Sequence, residues 1–371
     1  MRPLVLVTGG AGFIGSHVAD ELLASGYGVR ALDILEEQVH GAGVSRPDYL
    51  HPDVELVLGD VADREIVRRS LGGVDAVLHL AAAVGVGQSM YEIEHYTKVN
   101  NLGTAVLLQA LVDRPVRRLV VASSMSIYGE GLYRRRDGAV VPAASRTLEQ
   151  LRQSRWEPED RQGEPLTPAP TPEWKQPSLE SLYALSKYDQ ERMCLLLGRA
   201  YGIPTVALRL FNVYGTRQAL SNPYTGVLAI FASRLLNGRA PQVFEDGRQR
   251  RDFVHVKDVA RAFRLALESE VADEVFNVGS GRDYTVAEIA GMLAKVVGKP
   301  EIRTEVSGRF RIGDIRHCFA DISRARDGLA YEPEVEFDAG LAELAEWLSG
   351  QTAVDRAEHA RAELAVRGLT T

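Results

Sequence analysis

Short apolar runs alternate with stretches of helical periodicity over the first half of the chain. Leu4-Val5-Leu6-Val7 is a continuous apolar run of the kind a buried parallel strand shows, and Ser16 to Ala24 then places Val18, Leu22 and Leu23 at helical spacing. Val29-Arg30-Ala31-Leu32 follows as a second strand ending in Asp33. A polar loop runs through Pro52, then a strand spans Val54 to Leu58 and a helix Asp63 to Leu71. Val74 to Leu80 opens into Ala81-Ala82-Ala83 and a glycine-spaced loop, before a helix from about Lys98 to Val112. Val116 to Ala122 delivers Ser123 and Ser124 at its carboxyl end, where open α/β sheets place their ligands. Repeated βα units of this length predict a doubly wound parallel α/β sheet of the Rossmann type.

The pattern breaks from Glu130 to about Ser178, where arginines, prolines and polar residues dominate around Trp156 and Trp174. Apart from a short helix at Leu148 to Arg155, this insertion is expected to be an ordered excursion, a mobile lid or a surface decoration. Periodicity returns in a long helix from Leu182 to about Tyr201, stopped by Gly202 and Pro204, and strand Thr205 to Leu210 follows. Further elements are expected at Gly226 to Asn237, Gln242 to Phe244, from Asp258, at Phe276-Asn277-Val278-Gly279, and from a Thr285 cap to Val297. The resulting division is a dinucleotide-binding domain over 1–210 with the insertion at about 130–178, and a smaller C-terminal α/β substrate lobe over 211–350 interleaved with the last sheet strands. A helical tail over 351–371 carries an amphipathic stretch, Val354 to Val366, expected to be docked or solvated.

Between the first strand and first helix stand Gly9, Gly10, Gly12 and Gly15. Gly10, Gly12 and Gly15 satisfy G-x-G-x-x-G and Gly9, Gly12 and Gly15 satisfy G-x-x-G-x-x-G. In either register backbone N–H groups and a helix N-terminus face an anion. Asp33 ends the next strand at the distance where a carboxylate grips an adenosine ribose diol, and it would repel a 2′-phosphate, so NAD is expected rather than NADP.

With 371 residues, 45% hydrophobic and 25% charged, the chain is large enough for one major core and an attached lobe. Its net charge of −7 gives no electrostatic case for nucleic acid or an anionic membrane, so phosphate binding must come from local arginines and helix ends. The only cysteines are Cys194, which reads as a buried helix residue, and Cys318; neither a disulfide framework nor a metal site is expected. The first apolar run is too short for a signal sequence and nothing approaches a membrane span, which points to the cytoplasm.

Tyr183 and Lys187 are spaced i, i+4 and therefore share a helix face. A phenol is a poor base at neutral pH, but a cation one turn away stabilises the phenolate and makes Tyr183 usable as general base and acid. The ordered motifs Thr8 to Gly15, Gly59-Asp60-Val61, His79-Leu80-Ala81-Ala82, Val99-Asn100, Ser123-Ser124 with Tyr128-Gly129, Tyr183 to Lys187, Leu208 to Asn212 and Arg251 to Val256 cover nearly the whole chain. In them it resembles the extended short-chain dehydrogenase/reductases, and among these the nucleotide-sugar epimerases and dehydratases. The resemblance implies Ser124, Tyr183 and Lys187 as catalytic residues. It implies NAD contacts at Gly9, Gly12, Phe13, Ile14, Gly15, Asp33, Asp60, Val61, Leu80, Ala81, Ala82, Asn100, Tyr183 and Lys187. Substrate contacts fall on Ser124, Asn212, Arg251, Arg311 and Asp314, with Cys318 near the position where the family tunes sugar size. Forked, permanently charged arginines suit a diphosphate on physical grounds as well; surface solvation is a more plausible reading for Arg217 and Arg316 than for Arg251. A homodimer is implied too, through a four-helix bundle of the helices from Lys98 and Leu182.

The 4,6-dehydratases of that family follow the residue matching Ser124 with acidic groups that expel water, whereas Met125 and Ser126 stand here. The expected reaction is therefore 4-epimerisation of a nucleotide-diphosphate sugar through a transient 4-keto sugar, the hydride being borrowed by NAD and returned. Asn222 to Val227, together with the insertion, is similar to sequences grouped with dTDP-L-rhamnose 4-epimerases. The alternatives are a dehydratase, a hexuronic acid decarboxylase or dehydrogenase of the same family, and a catalytically idle NAD-sensing regulator.

Overall fold

The computed structural model describes residues 2–311 and 314–369, without the side chains of residues 359–361. Seven strands form one parallel sheet: β1 (Leu4–Thr8), β2 (Gly28–Asp33), β3 (Glu55–Leu58), β4 (Ala76–His79), β5 (Arg118–Ser124), β6 (Thr205–Leu210) and β7 (Glu274–Val278). Their spatial order is β7-β6-β5-β4-β1-β2-β3, with Val5 of β1 opposite Val29 on one side and Ala76 on the other. Every residue of β5 and β6 is buried, because helices cover both faces of the sheet.

The helices are α1 (Phe13–Ala24), α2 (Arg64–Ser70), α3 (Gly103–Asp113), α4 (Leu182–Tyr201), α5 (Val227–Leu236), α6 (Val256–Glu268), α7 (Val286–Val296), α8 (Phe337–Ser349) and α9 (Ala357–Val366). On one face Val18 and Leu22 of α1 share a core with Val259 and Phe263 of α6. On the other, Val67 of α2, Leu107 and Leu111 of α3, and Cys194 and Leu195 of α4 share a second core. Local chemistry fixes the boundaries. The Asp63 carboxylate caps α2, Ser181 caps α4, Gly202 ends α4 in the left-handed region, and Thr285 and Glu288 form a reciprocal capping box at α7.

Two helices begin earlier than the periodicity predicts. The segment expected to start at Lys98 is already helical at Ile93 and passes through a π-turn over Thr97–Leu102 into α3. The widened turn carries Asn100, buried at the inner face. α6 starts at Val256 because the His255 ring, through Nδ1, accepts the Lys257 N–H at 3.3 Å.

The insertion is a folded layer. Strands Leu132–Arg134, Val140–Val141 and Thr167–Ala169 make an antiparallel sheet, a helix spans Leu148–Arg152, and Leu132, Tyr133, Leu151 and Leu166 are buried. This rules out the reading as a surface decoration. Past β6, α5, α7 and α8 enclose a core of Leu228, Phe231, Leu235, Ile289, Leu293, Leu341 and Leu344, and between α5 and α7 the chain returns to the large sheet to add β7. The tail is docked: Leu364 of α9 is buried, its methyl groups 3.2 and 3.3 Å from where a Cβ on Gly87 would stand, and Asp355 pairs with Arg234 and Arg239.

Candidate active site

The strand order reverses between β1 and β4, and the carboxyl ends of these strands open the crevice in which doubly wound sheets bind ligands. The glycine turn sits at its edge. Gly9 has φ +69°, and a Cβ there would lie 2.9 Å from the Ala81 backbone nitrogen across the crevice. A Cβ on Gly15 would stand 2.1 Å from Gly9 O, so glycine alone lets α1 approach the turn this closely. Gly12, the N-cap of α1, would meet only Gly9 O at 3.3 Å, and no side chain caps that helix. The structure thus divides the two sequence registers: Gly9, Gly12 and Gly15 shape the cradle, while Gly10 packs on Ala31 of β2. Phe13 and Ile14 open α1 above it.

Asp33 lies beside the turn, its Oδ2 accepting the Ala11 N–H at 3.0 Å and its Oδ1 the Leu35 N–H at 2.9 Å. Asp60 accepts the Ala62 N–H at 2.8 Å and pairs with Lys98 at 2.9 Å, and Val61 is buried beneath Gly103. Leu80, Ala81 and Ala82 form the floor at the end of β4. Asn100 acts as a clasp: it accepts the Ala83 N–H at 2.7 Å and donates to Ala83 O at 3.1 Å and to Ser186 Oγ at 2.9 Å, tying that floor to α4.

β5 and α4 bring Ser124, Tyr183 and Lys187 together. The Tyr183 hydroxyl is hydrogen-bonded to Ser124; burial holds the phenol above its usual value, and this bond offsets only part of that rise. Burial draws the Lys187 ammonium down to about 8, against the opposing pull of Cys194 and Glu191. Lys187 Nζ donates to Gln190 Oε1 at 2.6 Å, and Gln190 Nε2 reaches Thr104 at 2.8 Å and His79 at 3.2 Å. His79 also meets Thr8 at 2.7 Å, and burial with the nearby Lys187 charge holds its ring down at about 3, hence neutral. This network from α4 back to β1 was missed in the sequence, although Gln190 stands one helical turn beyond Lys187. Ser89, at the end of the short helix Val86–Ser89 after β4, accepts the Tyr183 N–H at 3.0 Å and fixes the start of α4.

Of the residues expected to meet substrate, Asn212 follows β6 closely, and Arg251, Arg311 and Asp314 come later in the chain. Asn212 donates to Asp252 O at 2.8 Å, with Met125 Sδ at 3.6 Å. Arg251 lies in the two-residue strand Arg250–Arg251, between Tyr284–Thr285 and His317–Cys318. Its guanidinium donates to the carbonyls of Ile315 and Arg316. Arg311 stacks over the Phe244 ring at 4.1 Å, and its Nε is buried without a partner among the described residues. Asp314 caps its own chain through the Ile315 N–H, while Ile312 and Gly313 between it and Arg311 lie outside the described residues. Cys318 is buried against Thr171 of the insertion. Two expectations are overturned. Arg316 is fully buried among carboxylates, and Arg217 pairs with Asp20 at 2.7 Å beneath the Tyr49 ring; neither is a solvated surface residue, because each has found opposite charge from a distant segment.

The family model for the NAD dependent epimerase/dehydratase family matches residues 5–150 and 159–279. The chain belongs to that family. Among family members, the dTDP-L-rhamnose 4-epimerase of Burkholderia thailandensis is 36% identical over 93% of this chain and 94% of its own length. The crystal structure of the UDP-glucose 4-epimerase of Thermotoga maritima with UDP-glucose superimposes with TM-score 0.75 at 31% identity, covering 93% of this chain and 98% of that one. The UDP-glucose 4-epimerase of Thermus thermophilus in complex with NAD gives TM-score 0.73 at 31% identity, over 94% and 100% of the two chains.

NAD is the family's cofactor, and the residues present fit it. The uncapped N-terminus of α1 above the open side of Gly12 suits a pyrophosphate. The Asp33 carboxylate stands one strand away, as a ribose diol requires. No helix among the described residues is long and apolar enough to cross a membrane.

Proposed function

We propose that this family member is a nucleotide-sugar 4-epimerase, with dTDP-L-rhamnose as the first substrate to test. The observation that carries the reading is the Ser124, Tyr183 and Lys187 cluster followed by Met125 and Ser126, neither of which can supply the acid that expels water from a sugar. The names of the similar relatives support it.

Gly9, Gly12, Phe13, Ile14 and Gly15 hold the pyrophosphate and Asp33 the adenosine ribose, while Asp60, Val61 and Leu80 to Ala82 line the adenine and nicotinamide sides. NAD held there would supply the hydride acceptor for C4 of the sugar and the donor that restores it. Ser124 donates a hydrogen bond to the C4 oxygen and Tyr183 takes its proton as the C4–H bond breaks and the C–O bond becomes a carbonyl. Lys187, held by Gln190, stabilises the phenolate with its charge. Asn212, Arg251, Arg311 and Asp314 keep the nucleotide diphosphate anchored while the keto sugar turns its other face. Tyr183 then returns the proton to the oxygen as the C4–H bond re-forms with inverted configuration.

The protein acts as a homodimer in this reading. Leu102, Leu185 and Leu196 are large apolar side chains exposed on the two helical segments that would pair with their mates. The test is incubation with dTDP-L-rhamnose, UDP-glucose and UDP-glucuronate, with products separated by stereochemistry. A C4 epimer is expected. Loss of water or of carbon dioxide would transfer the protein to the dehydratases or decarboxylases.

A further inference from the structure

The insertion reaches the site through a side chain that lies outside it. Arg316 is 0% exposed, and all five of its N–H groups end on carboxylates. Nε and Nη2 donate to Glu157 at 3.1 and 2.6 Å, Nη1 to Glu245 and Asp246 at 2.9 and 2.6 Å, and Nη2 again to Asp246 at 3.1 Å. Glu157 belongs to the insertion, Glu245 and Asp246 to the lobe just ahead of Arg251. The second oxygen of Glu157 meets His317 Nε2 at 2.7 Å. Because His317 Nδ1 accepts the Arg250 N–H at 3.0 Å, Nε2 is the nitrogen that donates. Burial raises the Glu157 carboxyl, but the bonds from His317 and Arg316 outweigh it and hold the group down at about 2.

Two more residues of the insertion grip the same segment. Arg146 donates to Glu245 at 2.7 Å and to Asp314 O at 2.8 Å, and Glu130 accepts the N–H groups of Arg316 and His317 at 2.8 and 3.2 Å. Two carbonyls of this segment, at Ile315 and Arg316, hold the Arg251 guanidinium together with its neighbour Arg250 O. The direction in which Arg251 points is therefore set by a backbone segment whose position is set by the insertion.

Resting on the reading of the site as one for a nucleotide-sugar diphosphate, we propose that Arg316 and Glu157 are positioning residues, through which the insertion braces segment 314–317 and aims Arg251 at the diphosphate. A planar guanidinium is required. Lysine keeps the charge but brings at most three donors to three carboxylates arranged for five.

The experiment titrates dTDP and UDP into the NAD-loaded wild type, Arg316→Lys, Glu157→Gln, Arg251→Met and the Arg316→Lys/Arg251→Met double variant by calorimetry. Arg316→Lys is expected to weaken nucleotide binding by at least about tenfold with NAD content unchanged. Its effect should vanish in the Arg251→Met background, leaving the double variant within about twofold of Arg251→Met alone. Glu157, 36% exposed, tolerates substitution more readily, so Glu157→Gln carries the test if Arg316→Lys does not fold, and it should weaken binding by about threefold or more. Wild-type affinity in the folded single variants, or losses that multiply in the double variant, would overturn the proposal. Wild-type enzyme that binds neither dTDP nor UDP would overturn the nucleotide-sugar reading itself.

Discussion

The two sides of the crevice are built on opposite principles. The cofactor side is made of backbone: Gly9, Gly12 and Gly15 lie within seven residues, and what matters is the space their missing side chains leave. The side proposed for the substrate diphosphate is held by ion pairs gathered from far apart, with Arg316 meeting Glu157 at a separation of 159 residues and Glu245 at 71. A backbone cradle tolerates no added atom. A charge cluster depends on its partners, since removing one leaves the buried Arg316 or Glu245 less fully compensated. Each side should therefore break in its own way.

The largest effect is expected at Gly15→Ala, where the new Cβ would stand 2.1 Å from Gly9 O; the variant should lose bound NAD outright, read by the absorbance of cofactor released on denaturation. Next comes Tyr183→Phe. Turnover should fall by about 10³-fold while NAD content stays at the wild-type level, so that chemistry separates from cofactor binding; a folded variant with full kcat would contradict the role assigned to the phenol. Placing a charge at Leu196, 54% exposed on α4, should shift the sedimentation mass from dimer to monomer, and a wild-type mass that is already monomeric would remove the dimer from the account.

The smallest effect concerns pH. The unfolded chain takes up a proton on His79 as pH falls through about 6.5, whereas the folded chain keeps the ring neutral down to about 3. The folded-state pKa is depressed, so stability is lost as pH drops across that window, by about 1.4 kcal/mol per pH unit for this group. His79→Gln should flatten the acid slope of denaturation free energy by about that amount, and an unchanged slope would show that His79 does not carry it.

The same contrast explains what the chain disclosed before folding. The strand, turn and helix around Gly9 to Gly15 could be read directly, because a phosphate cradle needs particular residues at fixed local spacing, and Thr205–Leu210 and Leu182–Tyr201 appeared at their observed bounds. Arg316 could not. Nothing in its neighbourhood indicates that Glu157 will arrive from an aperiodic insertion, and an arginine between Ile315 and His317 looks the same whether solvated or buried. Gln190 and Asn100 fall between these cases. Their helical positions were legible, yet their partners His79 and Thr104, for Gln190, and Ala83, for Asn100, come from segments distant in sequence. The π-turn that presents Asn100 carries no residue pattern of its own.

The central claim is that hydride leaves and returns to C4 of one sugar within one site. It is tested most directly with dTDP-L-rhamnose carrying deuterium at C4, in ordinary water and with only the NAD bound to the enzyme, the product being examined by NMR and mass spectrometry. The account predicts a C4 epimer that keeps its deuterium at C4 over many turnovers. A product that has lost the label to water, or has lost water itself, would contradict it.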